Sequence, residues 1–152
     1  SMAVNWDYKE AWPAAAGYAL VEYPATPKPA FFAVKESCRP VMLSAKVLSF
    51  DWERGAEVPV DIWLLNDTFA KVASGKVLLF LKADGKETLV GEFAGKTTAE
   101  NRNVKIVSTK IKLPEIGGDR FAIVVKSASN PEFNSEYGFV LKGAEVASGA
   151  KK

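Results

Sequence analysis

The sequence predicts an all-β fold: an immunoglobulin-like antiparallel β-sandwich of about seven strands, preceded by an irregular segment and one short helix. Three observations carry that expectation. From Val41 to Gly143 the chain is written in short runs of alternating apolar and polar residues, the period of a half-buried strand. Between the runs lie "NDTFAKVASG", "AGKTTAENRN", "EIGGD" and "SASNPEFN", rich in residues that form turns. Asp84-Gly85 separates two of the runs and is a strong hairpin signal, because a type I′ turn needs positive φ at both central residues.

The elements follow in order. Asn5 to Val41 holds two tryptophans, three tyrosines, two adjacent phenylalanines and five prolines, with no hydrophobic period until near its end. There "PAFFAVKESCR" reads as a short helix with proline in its first turn, where the missing N–H would be unsatisfied anyway. Phe31, Val34 and Cys38 make one apolar stripe, and Pro40 ends the helix. Cys38 on that stripe is expected to be a small buried hydrophobe. Seven strand runs then succeed one another. "VMLSAKVLSF" sets Val41, Leu43, Ala45 and Val47 against Met42, Ser44 and Lys46. "VPVDIWLL" places Val58, Val60, Ile62 and Leu64 on one face. "KVLLFLKA" and "KETLVGEF" flank the Asp-Gly turn. "VKIVSTKIKL" sets Val107, Thr109, Ile111 and Leu113 against Ser108, Lys110 and Lys112, "RFAIVVK" sets Phe121, Ile123 and Val125 inward, and "SEYGFVL" closes the set with Tyr137, Phe139 and Leu141. The expected organisation is residues 1–40 as entry segment and helix, 41–143 as sandwich with one solvated face per sheet, and 144–152 as a flexible tail. The Cys…Trp…Cys spacing of antibody domains is missing.

Composition narrows the chemistry. At 152 residues, 48% apolar and 25% charged, the chain suits one globular domain. A formal charge of +2, with scattered basic residues, argues for neither nucleic acid nor an anionic membrane as partner. No apolar run approaches the about 20 residues that span a bilayer. Ser1-Met2 reads as a cloning remnant, so the natural text is expected to join somewhere after it. Histidine is absent and cysteine occurs once, which removes disulfide scaffolds, Cys/His zinc sites and imidazole-dependent nucleophiles. Carboxylate, lysine, tyrosine or hydroxyl chemistry is left.

Several side chains are candidates. Trp6 and Trp12 could stack on a sugar ring or another flat ligand, or could fill an interface. Trp52 in "FDWERGAE" and Trp63, opposite the Val58–Leu64 face, could form a ligand platform; packing is the default for both. Asp51, Glu53, Asp67 and Glu92 could supply a pair of carboxyls for glycoside hydrolysis, but their spacing defines no pair. "NDT" at Asn66–Thr68 matches a glycosylation acceptor, although Asn and Asp after a strand also hold turns, the better reading here. Lys28, among prolines, has no activating neighbour.

The entry segment carries a resemblance. "EAWPAAAGYALVEYPATPKPAFFAVKESCRPVMLS" is similar to a stretch of family-2 glycoside hydrolases, in particular the β-mannosidase and exo-glucosaminidase branch. There an "ND-x-WP" element follows the last barrel strand, an aromatic-rich stretch runs to "RPKPAYYAVKRA…P", and an immunoglobulin-like domain begins. Trp12-Pro13, Lys28-Pro29-Ala30, Phe31-Phe32, Val34-Lys35 and Arg39-Pro40-Val41 match, with Asn66-Asp67 at a strand end. Lys9-Glu10 stands where the family has Asn-Asp. The resemblance implies a retaining hydrolase parent that needs no metal or organic cofactor and whose two catalytic glutamates lie upstream of this chain. The segment before Pro40 would then be the exit from a (β/α)₈ barrel, that barrel would be the partner of this chain, and Trp6 and Trp12 would stand nearest the sugar cleft. The rival from another class is a free-standing module that binds carbohydrate or protein through Trp52 and Trp63.

Overall fold

The computed structural model describes residues 7–14 and 17–142; the expected tail 144–152 and Trp6 lie outside them. The chain forms two compact units, residues 1–39 and 40–152. In the first, β1 (Val21–Glu22) pairs antiparallel with β2 (Thr26–Pro27), and α1 spans Pro29–Ser37. Lys28 caps α1 in extended geometry and a proline opens its first turn, as the sequence indicates. No residue of α1 is buried. Cys38 corrects its expectation, being exposed. The helix body ends at Ser37 and Cys38 is the C-cap, so it has left the helical stripe that would carry an i+7 residue.

The second unit contains the seven long strands that the alternation predicts, with three two-residue strands between them. In chain order they are β3 (Val41–Lys46), β4 (Asp51–Trp52), β5 (Glu57–Asn66), β6 (Val72–Ala73), β7 (Val77–Ala83), β8 (Lys86–Phe93), β9 (Thr97–Thr98), β10 (Val104–Lys112), β11 (Arg120–Ser127) and β12 (Ser135–Leu141). One sheet has the order β10–β5–β3, the other β4–β12–β11–β7–β8, and β6 pairs with β9 at one end. All these pairings are antiparallel except β12 with β4. Asp84 and Gly85 both have positive φ, 49° and 74°, so the β7–β8 turn is the hairpin that its two residues demand.

The core lies between the two sheets. Val58, Val60, Ile62 and Leu64 are at most 1% exposed and meet Leu79, Ile123, Val125 and Leu141 in one cluster. Burying each such side chain stabilises the fold by about 1.5–3 kcal/mol against leaving it in water. One flank is stitched shut, the Ser135 hydroxyl donating to the Leu43 carbonyl and the Tyr137 hydroxyl lying 3.2 Å from Ser44 Oγ.

Strict alternation fails at three places. In β10 a bulge between Lys105 and Val107 admits an extra residue, and Ile106 is buried while Val107 and Thr109 are half-buried, because a bulge re-aims the side chains beside it. In β11 Ala122 and Val124 are buried as well as Phe121, Ile123 and Val125. β11 lies between β7 and β12, and Lys82 of β7 reaches Glu136 of β12 at 3.0 Å; that ion pair crosses β11 and covers its small outer residues. In β3 Met42 is buried although it faces away from Leu43, and the strand stops at Lys46.

Candidate functional site

In the first unit the chain folds back on itself through main-chain bonds. Glu10 N–H donates to the Val21 carbonyl at 3.0 Å, Val21 N–H to Tyr8 at 3.0 Å, and Lys28 N–H to Leu20 at 2.9 Å. Across this frame Lys28 Nζ meets Glu10 Oε1 at 2.7 Å and donates to the Gly17 carbonyl at 2.9 Å. The Tyr23 amide approaches Glu10 Oε2 at 3.4 Å. Glu10 is therefore an anchor for Lys28, a pairing eighteen residues apart in sequence that no local spacing rule reveals. The Lys28 hydrogen bond holds the Glu10 carboxyl below the usual range, with burial opposing and the Tyr23 amide assisting.

Trp12 lies beside this anchor and is 71% exposed; Tyr18 is 90% exposed. Both line a recess of about 360 Å³ with Lys9, Glu10 and Asp7. Elsewhere in the same unit Tyr8, Phe31 and Phe32 stack edge to face, with ring centroids 6.3 and 5.4 Å apart in succession. An open aromatic face bordered by a carboxylate and an ammonium can take the apolar side of a sugar ring and its hydroxyls, or the surface of a neighbouring domain.

Trp52 and Trp63 occupy different sheets. Trp52 sits on β4, half-buried against the core, and its indole N–H donates to the Ser49 carbonyl at 3.1 Å. Trp63 points out from β5, the middle strand of the three-stranded sheet, between Ser44 of β3 and Lys105 of β10. Lys105 Nζ lies 5.2 Å from the indole centroid and 2.9 Å from Asp61 Oδ2. The Ser108 hydroxyl, then Lys105, holds the Asp61 carboxyl below its ordinary range. Sequence reading missed this cluster because it exists only once the cross-strand register is known.

Of the four acids weighed as hydrolytic carboxyls, Asp51 and Glu53 lie beside the same lysine, Lys142, while Glu92 lies on β8 and Asp67 follows β5. Asp51 accepts from Ser49 Oγ at 2.7 Å and is pulled down chiefly by that bond, with Lys142 assisting. Glu53 pairs with Lys142 at 3.3 Å and Glu92 with Lys76 at 3.0 Å. Asp67 is exposed at the far end of β5. Asn66 is fully buried and holds its turn: Nδ2 donates to the Ala70 and Ala99 carbonyls at 2.8 and 2.9 Å, and Oδ1 accepts from Thr68 N–H and Oγ1 at 3.0 and 2.7 Å. Its amide nitrogen has no face left for a glycan.

One further carboxylate is structural. Asp84 accepts from Gly117 and Gly118 N–H at 2.9 and 3.0 Å, and those bonds hold it below the ordinary range, with Arg54 contributing. A lowered folded-state value means that stabilisation is present above the ordinary carboxylate value of about 4 and is lost as the pH falls below it. The urea midpoint is therefore expected to be flat from about pH 7 to 5 and to drop below about pH 4. Carboxyl NMR titration should place Glu10, Asp51, Asp61 and Asp84 each below the ordinary value for its residue type; ordinary titration of all four would contradict the geometry.

No family model matches the chain. Among curated proteins it is similar to β-mannosidase B of Aspergillus niger, 35% identical over 92 residues that make up 56% of this chain and 11% of that protein. Among solved structures it is similar to the β-D-mannosidase of Dictyoglomus thermophilum, with a TM-score of 0.59 and 17% identity over 89% of this chain and 16% of that one. The chain thus spans only 11% and 16% of the lengths of these two relatives. The likeness to the C-terminal region of family-2 β-glycosidases, read from the sequence, therefore holds in sequence against one β-mannosidase and in fold against another.

Proposed function

We propose that this chain is the non-catalytic C-terminal accessory region of a β-mannosidase-like glycoside hydrolase, in which it buttresses the catalytic barrel of the same polypeptide. The observation that carries the reading is the 35% identity to a β-mannosidase over 92 residues. It is supported by the aromatic surface of the first unit, where Tyr8, Trp12, Tyr18 and Phe32 are each more than half exposed. A run of exposed aromatic residues on one short segment marks a surface shaped for a neighbour. In this reading Trp12 sits at the barrel-facing side, and Glu10–Lys28 holds it in place.

The purified chain is expected to release no nitrophenol from 4-nitrophenyl β-D-mannoside. In the parent polypeptide, deletion of residues 41–142 should abolish soluble, active enzyme. Turnover by the isolated chain would defeat the proposal. Calorimetric binding of manno-oligosaccharides by the isolated chain, lost in Trp63→Ala, would shift the reading to a carbohydrate-binding module.

A further inference from the structure

Asp84-Gly85 is the one Asp-Gly pair in the sequence, which contains no Asn-Gly pair. Such a pair is chemically weak. The glycine nitrogen can attack the aspartyl Cγ, closing a five-membered succinimide as one water leaves. Hydrolysis at one succinimide carbonyl returns aspartate and at the other gives isoaspartate. Glycine favours the reaction because no side chain shields its nitrogen. The turn itself gives no shelter, since Asp84 and Gly85 are exposed and nothing lies within 4 Å of the Cβ direction of Gly85. Isoaspartate routes the main chain through the side chain and lengthens it by one atom. The two-residue turn that holds Ala83 opposite Lys86 has no slack for that atom.

The reacting carboxylate is held by another loop. Asp84 Oδ2 accepts from Gly117 N–H at 2.9 Å and Oδ1 from Gly118 N–H at 3.0 Å, donors 33 and 34 residues further along the chain. Ring closure brings Cγ to the Gly85 nitrogen and releases one carboxyl oxygen as water, so it requires a protonated oxygen and an unheld carboxyl. The two amide bonds oppose both requirements, because they engage each oxygen and favour the anion, whose carbon is the poorer electrophile. The lowered titration of Asp84, with Arg54 and Lys86 assisting the two amides against burial, agrees with that geometry.

The loop that supplies the amides, residues 113–119 between β10 and β11, is itself fixed. Leu113 N–H donates to the Ala56 carbonyl at 2.9 Å, and the side chains of Leu113 and Ile116 are buried. The Arg54 guanidinium donates to the Ile116 carbonyl and, at 3.0 Å, to that of Gly118. Arg54 thus holds the loop from one side while Asp84 binds it from the other. We propose that Asp84-Gly85 is a latent isoaspartate site and that the 113–119 loop is its guard. While Gly117 and Gly118 hold the carboxylate the pair is inert, and where the loop lifts away the pair isomerises. The change needs water alone and leaves the mass of the chain as it was.

The test is to age the whole chain at neutral pH, folded and in denaturing urea, and to read isoaspartate at Asp84. Methyl transfer by isoaspartyl methyltransferase, mapped by tandem mass spectrometry, supplies the readout. The folded chain is expected to react about a hundredfold more slowly than the unfolded one, each charge-assisted hydrogen bond counting for about tenfold. Arg54→Ala releases the loop and should raise the folded-state rate about tenfold; urea unfolding checks that this variant is folded. Gly95→Ala weakens the fold at the other end of β8 without touching the guard, and should leave the rate at Asp84 where it was. Equal rates in the folded and unfolded chain, or an Arg54→Ala rate equal to the parent's, overturn the proposal. A rise in Gly95→Ala as large as that in Arg54→Ala assigns the protection to global folding and overturns it as well.

Discussion

Asn66→Ala is expected to lower the free energy of unfolding by about 3 kcal/mol, read as a fall in the urea midpoint at unchanged slope. The residue is fully buried and uses all four of its side-chain hydrogen bonds. Alanine leaves the carbonyls of Ala70 and Ala99 and the amide of Thr68 without their Asn66 partner in part-buried positions, and each group left unsatisfied costs about 1–3 kcal/mol. Partial repair is open to Thr68, whose hydroxyl is 3.3 Å from the Ala70 carbonyl, so the sum stays below three full penalties. Asn66→Asp is nearly isosteric and should be no better. It replaces the amide donor with an acceptor facing two carbonyls and puts a charge where Asn66 has no exposure. A midpoint within experimental error of the parent for both variants would mean that the loop does not depend on Asn66. The consequence reaches past the loop, because Asn66 pairs with Val41 at the start of β3 and the Asp67 amide binds the Pro40 carbonyl at 2.8 Å. The side chain therefore fixes the end of the sandwich at which the chain enters it.

The strands were legible because a sheet with one dry face writes its period into the chain. Val58, Val60, Ile62 and Leu64 fall at every second position and are buried without exception, while Pro59, Asp61 and Trp63 between them are not. The Asp84-Gly85 hairpin was legible because few residue pairs accept two successive positive φ angles. Legibility ended where a second element decides the outcome. Ala122 and Val124 are buried along with their inward neighbours because Lys82 and Glu136, on two other strands, pair across them. Ile106 enters the core through a bulge whose position depends on the partner strand. The site was less legible than the fold for the same reason. Lys28 finds Glu10 from eighteen residues away, and Lys105 finds Asp61 from forty-four. Neither distance is a period of helix or strand, so composition showed the charges but not their partners. The entry segment was readable only through its likeness to known enzymes, since its aromatic residues follow no repeat.

Gly95→Ala should destabilise the sandwich by about 3 kcal/mol although it adds a single methyl group. Gly95 passes the backbone of Gly75 so closely that a Cβ there would run into the Gly75 carbonyl and would stand 2.9 Å from Ser74 Oγ. A flexible side chain could move aside, but a carbonyl held by its neighbours cannot. The two segments are tied by Ser74 N–H donating to the Lys96 carbonyl at 2.9 Å and Lys96 N–H donating to Ser74 Oγ at 3.0 Å. Behind them the Ser127 hydroxyl donates to the Ser74 carbonyl at 2.6 Å and accepts from the Asn130 amide at 3.0 Å. Ser74 and Ser127 are both buried, so separating the segments breaks bonds that water is poorly placed to replace. Gly138→Ala is the control, since nothing lies within 4 Å of its Cβ direction and its strand position is extended. It should leave stability unchanged or raise it by roughly 0.5 kcal/mol. If Gly95→Ala and Gly138→Ala unfold at the same urea concentration, the crossing at Gly75 is looser than its geometry requires. The serine network behind it would then contribute little to holding the loops at this end of the sandwich.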